Sequence, residues 1–207
     1  MSQPTAATAE ATVYSFGFGL AEPLAKKNAH DQLYIALNNE KGDWYNAKGS
    51  ESRRLQFIHK SNGNGQEFLL CRSNTQPHTT NLFYQTESIA VSTGDKLKIS
   101  VRLPAVRRLV QKGKTSMRSI LDSDKDDYYS GILERFGMRV ITIAWASAPE
   151  STIVFTKKKS KVIIPVNDVA ANVEIVNAEK FIDAFCTGVG RYKTYGCGMI
   201  NAEKTKG

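Results

Sequence analysis

Apolar and polar residues alternate most cleanly over residues 96–103, where Leu97, Ile99, Val101 and Leu103 interleave with Lys98, Ser100 and Arg102. That is the period of a half-buried strand whose other face is basic. Over residues 22–39 the pattern is helical instead. Pro23 sits near the start, and Ala25, Ala29, Leu33, Ala36 and Leu37 recur at spacings of three and four. Ahead of it, Val13, Tyr14, Phe16, Phe18 and Leu20 predict a strand over residues 11–20, weakened by Gly17 and Gly19. A polar loop at 41–52 leads to two further strands, 54–60 and 67–72, and the run Ser61-Asn62-Gly63-Asn64-Gly65 between them has the composition of a hairpin turn.

Downstream, residues 124–136 predict a helix with Asp124, Asp126 and Asp127 at its positive dipole end and Gly137 as its stop. Strands follow at 138–145, 152–156, 162–165 and 171–176. Asn177 then caps a last helix, 178–186, and residues 196–201 close the sheet. Strands flanking a minority of helices, twice over, predict an α+β fold of two tandem ferredoxin-like (RRM-like) modules with antiparallel sheets. The expected division is a disordered tail at 1–11, an N-terminal module at 12–94 and a C-terminal module at 95–207 carrying a glycine-rich loop.

The 207 residues suffice for such a pair, and 41% hydrophobic with 23% charged is ordinary for a globular protein. No apolar run approaches the ~20 residues of a membrane span, and the start has neither a basic nor an apolar signal region. A cytoplasmic protein without membrane association is expected. Cys71, Cys186 and Cys197 have no CxxC spacing, so neither a disulfide framework nor a metal site is expected, and no cofactor.

A net charge of +8 favours a polyanionic partner. Its distribution says more: residues 96–121 hold eight basic residues and no acid. Arg102, Arg107, Arg108, Lys112, Lys114 and Arg118 are the candidates for phosphate contacts, with Lys158 from the run Lys157, Lys158, Lys159, Lys161. The other informative segment is Gly188-Val-Gly-Arg-Tyr-Lys-Thr-Tyr-Gly-Cys-Gly198. Gly188, Gly190, Gly196 and Gly198 permit close backbone approach, Arg191 and Lys193 supply charge, and Tyr192 and Tyr195 could stack on bases. A Walker loop would need GK followed by Ser or Thr, which is missing. Packing against neighbouring structure is the other use such a loop could have.

The run GVGRYKTYGCGMI, placed after a helix near the chain end, resembles the glycine-rich motif of the RAMP superfamily of CRISPR-associated proteins. Within that superfamily the chain is similar to the repeat-processing endoribonuclease of type I-E systems, the CasE kind. LQFIHKSNGNGQEFLLCRSNTQP, KLKISVRLPAVRR and ILERFG agree with that family, so the resemblance covers residues 12–201.

The resemblance implies binding of a CRISPR repeat stem-loop and metal-independent cleavage at its base by the RNA 2′-hydroxyl. It also implies retention of the 3′ hairpin within an effector complex of other CRISPR subunits. Such a reaction needs an acid and a base and positive charge for the transition state. The family carries its functional histidine in the first helix, which matches His30. At ~100° per residue, Lys26, Lys27 and Tyr34 lie within about 60° of it. Where family members often have an aromatic hydroxyl, three residues before the histidine, this chain has Lys27. Lys27 would then stabilise the phosphate or protonate the leaving oxygen, and Tyr34 could supply a hydroxyl. His59 is the second candidate; His78, in a polar loop, is expected to have no role. The alternative is a RAMP-type subunit that holds the hairpin without cutting it, and a more distant one is a general RNA-binding protein of ferredoxin-like folds.

Overall fold

The computed structural model describes residues 7–21, 32–33, 55–61, 66–76, 83–111, 113–157 and 160–205. The described strands form two four-stranded antiparallel sheets and a separate two-stranded one. The first sheet contains β1 (Thr8–Gly19), β2 (Gln56–Ser61), β3 (Glu67–Ser73) and β4 (Tyr84–Ser92), in the order β2-β3-β1-β4. The second contains β5 (Lys96–Pro104), β8 (Met138–Lys157), β9 (Ser160–Ile175) and β10 (Ile200–Lys204), in the order β10-β5-β9-β8. Numbered within each group of four, both orders read 4-1-3-2, the strand order of the ferredoxin-like unit. Helices α1 (Lys125–Glu134) and α2 (Ala178–Thr187) make the two crossovers of the second unit. Between β5 and α1 it carries an insertion, the hairpin of β6 (Val106–Gln111) and β7 (Lys114–Ser119).

Several predicted boundaries move. Thr8 through Ala11, expected in a disordered tail, belong to β1, where they pair with β4. Strand β4 itself was not predicted: Gln85, Thr86, Glu87 and Ser88 are all exposed, so this part of an edge strand shows no apolar period. The four fragments predicted between 138 and 176 are two long paired strands, with register shifts between Val140 and Thr142 and between Ser147 and Thr152. Strand β10 starts only at Ile200, since Gly196 to Met199 are still part of the glycine loop. Of the predicted first helix the structure describes Gln32 and Leu33, both helical and buried; the turn at 62–65 lies outside the described residues.

Helix α1 ends at Glu134, short of the predicted end at Phe136, and the turn after it closes on Gly137, which has a φ of +81° and stands against Asn177. The Asn177 side chain accepts from the Lys180 N–H at 2.9 Å and starts α2. The sheets are not independent units. Val13 of β1 and Val91 of β4 share one core with Leu97, Ile99, Val101, Tyr129, Phe181 and Phe185, so α2 is covered from both sides. Each fully buried Phe or Leu there contributes about 1.5–3 kcal/mol. A second core of Phe16, Leu33, Phe57, Leu69 and Cys71 lies on the other face of the first sheet.

Candidate nucleic-acid interface

The glycine loop follows directly from α2. It is cross-linked internally, with Val189 N–H donating to Gly198 O at 2.9 Å and Gly198 N–H to Arg102 O at 2.8 Å on β5. A 3-10 turn over Lys193–Tyr195 folds the middle of the loop. At Gly198, with φ +85°, a Cβ would fall onto the Val189 carbonyl, so only glycine fits. Gly196 presses against the Phe57 ring of β2 and Gly190 against Leu103. Val189, Cys197 and Met199 are buried. The glycines therefore pack the loop onto both sheets, and the residues left facing outward are exposed Arg191 with half-buried Tyr192, Lys193 and Tyr195. Lys193 Nζ turns back to the Gly188 carbonyl at 3.3 Å.

A small core of Val106, Ile164, Val166 and Cys197, with Tyr192 and Tyr195 against it, ties the base of the β6–β7 hairpin to this loop. The Tyr128 hydroxyl donates to Val106 O at 3.2 Å, and Tyr192 Oη lies 3.9 Å from Met117 Sδ. Burial raises the pKa of both phenols above the ordinary value while the Arg191 guanidinium pulls the other way.

On the hairpin Arg107 stands directly opposite Arg118, and Arg108 opposite Met117. All three arginines are exposed. Like charges in facing positions destabilise a sheet unless something negative meets them. Asp124 Oδ2 lies 4.0 Å from Arg107. Arg107 and Arg118 share one face of the hairpin and Arg108 lies on the other, and a common core joins the hairpin to the loop that carries Arg191.

Other predicted residues lie elsewhere. Arg102 is not on this surface: it is 9% exposed and donates to Asp168 through Nε at 2.8 Å and Nη2 at 3.1 Å. A guanidinium committed in this way holds β5 to β9 rather than a phosphate. Lys114 lies in β7 opposite Gln111. Lys112 and Lys158 lie outside the described residues, as do Lys27, His30, Tyr34 and His78. His59 is in β2 with Nε2 3.6 Å from Glu67 Oε1.

Sequence reasoning missed Gln56 and Arg72. Both are buried, and they face each other across β2 and β3. Gln56 Nε2 donates to Phe185 O at 2.9 Å, and Arg72 Nη1 to Ile200 O at 2.5 Å. The Arg72 guanidinium also lies 4.2 Å over the Phe185 ring and 3.7 Å from Glu87. Burial lowers its pKa, and the Glu87 carboxylate works against that.

A family profile described as CRISPR associated protein matches residues 28–202. The chain belongs to that family of CRISPR-associated proteins. Its fold is that of Cas6e from Escherichia coli str. K-12, with a TM-score of 0.67 at 16% identity over 93% of this chain and 100% of that one. Thermus thermophilus Cse3 bound to an RNA representing a pre-cleavage complex is similar at a TM-score of 0.63 and 15% identity, covering 93% and 99%. A chain of a CRISPR RNA-guided surveillance complex is similar at 0.58 and 15%, covering 93% and 100%. Among curated proteins no sequence matches the chain. Among the described residues no helix is long and apolar enough to cross a membrane.

Proposed function

We propose that this protein binds the stem-loop of CRISPR repeat RNA and cleaves the precursor at the base of the stem. The observation that carries the binding is the exposed facing pair Arg107 and Arg118, a charge arrangement that an RNA backbone relieves. Family membership and the Cas6e-like fold supply the kind of RNA, because a similar protein is named as a CRISPR endoribonuclease bound to RNA. In the proposed reaction His30 exchanges protons with the attacking 2′-hydroxyl or the leaving 5′-oxygen. Lys27 stabilises the charged phosphate and Tyr34 supplies a hydroxyl. Leu33, three residues after His30, shares a core with Phe57, the ring against which Gly196 stands, which supports this reading. Retention of the cleaved hairpin would make the protein part of an effector complex with other CRISPR subunits, a reading supported by its likeness to a chain of a surveillance complex.

The test is a cleavage assay in EDTA with a labelled repeat, comparing wild type with His30→Ala. Wild type should give a 2′,3′-cyclic phosphate, and the variant should bind the RNA yet cleave roughly a hundred- to ten-thousandfold more slowly. A wild type that binds the hairpin and never cuts it is instead a hairpin-holding subunit, the second reading that the surveillance-complex likeness favours.

A further inference from the structure

Helix α1 carries a glycine in its interior, Gly131, where alanine would make a more stable helix. Open space stands where its Cβ would be, so packing does not exclude a side chain there. On the same face of the helix lie half-buried Tyr128, three residues before Gly131, and exposed Arg135, four residues after it. At ~1.5 Å per residue these two are ~10 Å apart along the axis. Arg135 Nε donates to the Gly131 carbonyl at 3.0 Å, which uses one of the five guanidinium donors. Between a phenol and a cation, the helix thus shows a stretch of uncovered main chain.

Two further arginines reach this strip. The bond from the Tyr128 hydroxyl to Val106 O sets the ring beside Arg107, the next residue of β6. Gly190 stands against the middle of the helix, where its Cβ would lie 3.9 Å from Ile132 Cγ2, so the exposed Arg191 starts beside α1. Burial raises the pKa of the Tyr128 phenol, and the guanidiniums of Arg191, Arg135 and Arg107 all oppose it, so three cations act on one oxygen. Asp124, 4.0 Å from Arg107, lies at the hairpin end of the strip. A cation at the end of a helix can serve the dipole by itself, but that neither brings Arg191 to the same place nor leaves Gly131 without a side chain.

We propose that the strip of α1 from Arg107 and Tyr128 across Gly131 to Arg135, flanked by Arg191, carries backbone phosphates of one strand of the bound RNA. The absent side chain at Gly131 lets that strand lie close to the helix, and the three guanidiniums repel one another less once anions lie among them. The proposal rests on the RNA-binding reading above and extends the phosphate-contacting surface from the β6–β7 hairpin onto α1. Such contacts fix the register of the protein on its RNA rather than read its sequence.

The test is an anisotropy titration of repeat-hairpin RNA with the full-length protein over about 50–200 mM salt. Arg135→Gln and Arg191→Gln should each weaken binding several-fold and flatten the slope of log affinity against log salt by about one. Arg139→Gln, which removes an exposed arginine of β8 paired with Glu174, should leave the slope unchanged. Gly131→Glu supplies a better helix former and an i,i+4 partner for Arg135, so it should melt at or above the wild-type temperature. Its carboxylate would face the phosphates, and RNA should bind it roughly tenfold or more weakly. Should Gly131→Glu melt lower instead, the slope of Arg135→Gln decides. A wild-type slope in Arg135→Gln, or wild-type affinity in Gly131→Glu, overturns the strip while the RNA-binding reading stands. Failure of the wild type to bind the hairpin RNA at all overturns the RNA-binding reading on which the strip rests.

Discussion

Gln56 and Arg72, cross-strand neighbours on the first sheet, each hold a main-chain carbonyl on one flank of the glycine loop: Phe185 before it and Ile200 after it. The loop belongs to the second unit by sequence, yet both of its ends are fastened to the first. A ligand that touches Arg191 or Tyr192 is therefore felt by both sheets.

Arg72→Met leaves the Ile200 carbonyl without this donor and strips the guanidinium from the Phe185 ring and Glu87, whereas Gln56→Leu leaves the Phe185 carbonyl without its donor but also removes an acceptor, Oε1, that has no partner among the described residues. Arg72→Met should therefore cost about 2–3 kcal/mol and Gln56→Leu only about 1 kcal/mol, read from urea midpoints at constant slope. Equal losses would show that the two side chains do not differ in this way.

Gly198 and Gly94 both have positive φ, but only Gly198 has backbone where a Cβ would go. Gly94→Ala should cost about 1 kcal/mol of conformational strain. Gly198→Ala adds a clash with the Val189 backbone across the loop, so it should lower thermal stability several times more and reduce hairpin affinity. Comparable melting temperatures for the two variants would contradict the packed loop.

Residues 96–101 were legible because each second side chain is buried and the others are wet, and the Asn177 cap and the glycine turn at Gly137 are local devices that sequence shows directly. Arg102 misled for the same reason that β5 was easy: alternation groups it with Lys98 and Ser100. Its partner Asp168 is 66 residues away and visible only once β5 and β9 are in register. Gln56 and Arg72 escaped notice because their bonds are to main-chain carbonyls, which no spacing reveals. The proposed roles of Lys27, His30 and Tyr34 rest on the family resemblance and on helical spacing, and all three lie outside the described residues.

Asp95 lies in the turn joining β4 to β5 and ties it to the end of β10. Its carboxylate accepts from the Ser92 N–H at 3.0 Å and pairs with Lys204 Nζ at 3.0 Å, and these two interactions lower its pKa. A carboxyl lowered on folding adds stability that is present above the unfolded value of ~3.9 and lost as pH falls through the folded one. Asp95→Asn should thus be less stable than wild type at pH 7, and the gap should be smaller at about pH 3 than at pH 7. A gap that is the same at both pH values would assign the loss to something other than charge.

The facing arginines of the hairpin give opposite expectations for the free protein and for the complex. Arg118→Gln removes a like charge directly across from Arg107, which should leave the free protein as stable as before or more so, by up to about 1 kcal/mol. Hairpin RNA should bind the variant more weakly. The slope of log affinity against log salt should flatten by about one for each phosphate that the variant no longer neutralises. Arg102→Gln should behave in the reverse manner, because Arg102 is buried against Asp168: breaking that pair destabilises the fold while the salt slope stays near that of wild type. Unfolding in urea together with anisotropy titrations between 50 and 200 mM salt, roughly the range over which counterion release is large, measures both quantities. If Arg118→Gln bound RNA with an unchanged salt slope, the hairpin would not be the phosphate-contacting surface.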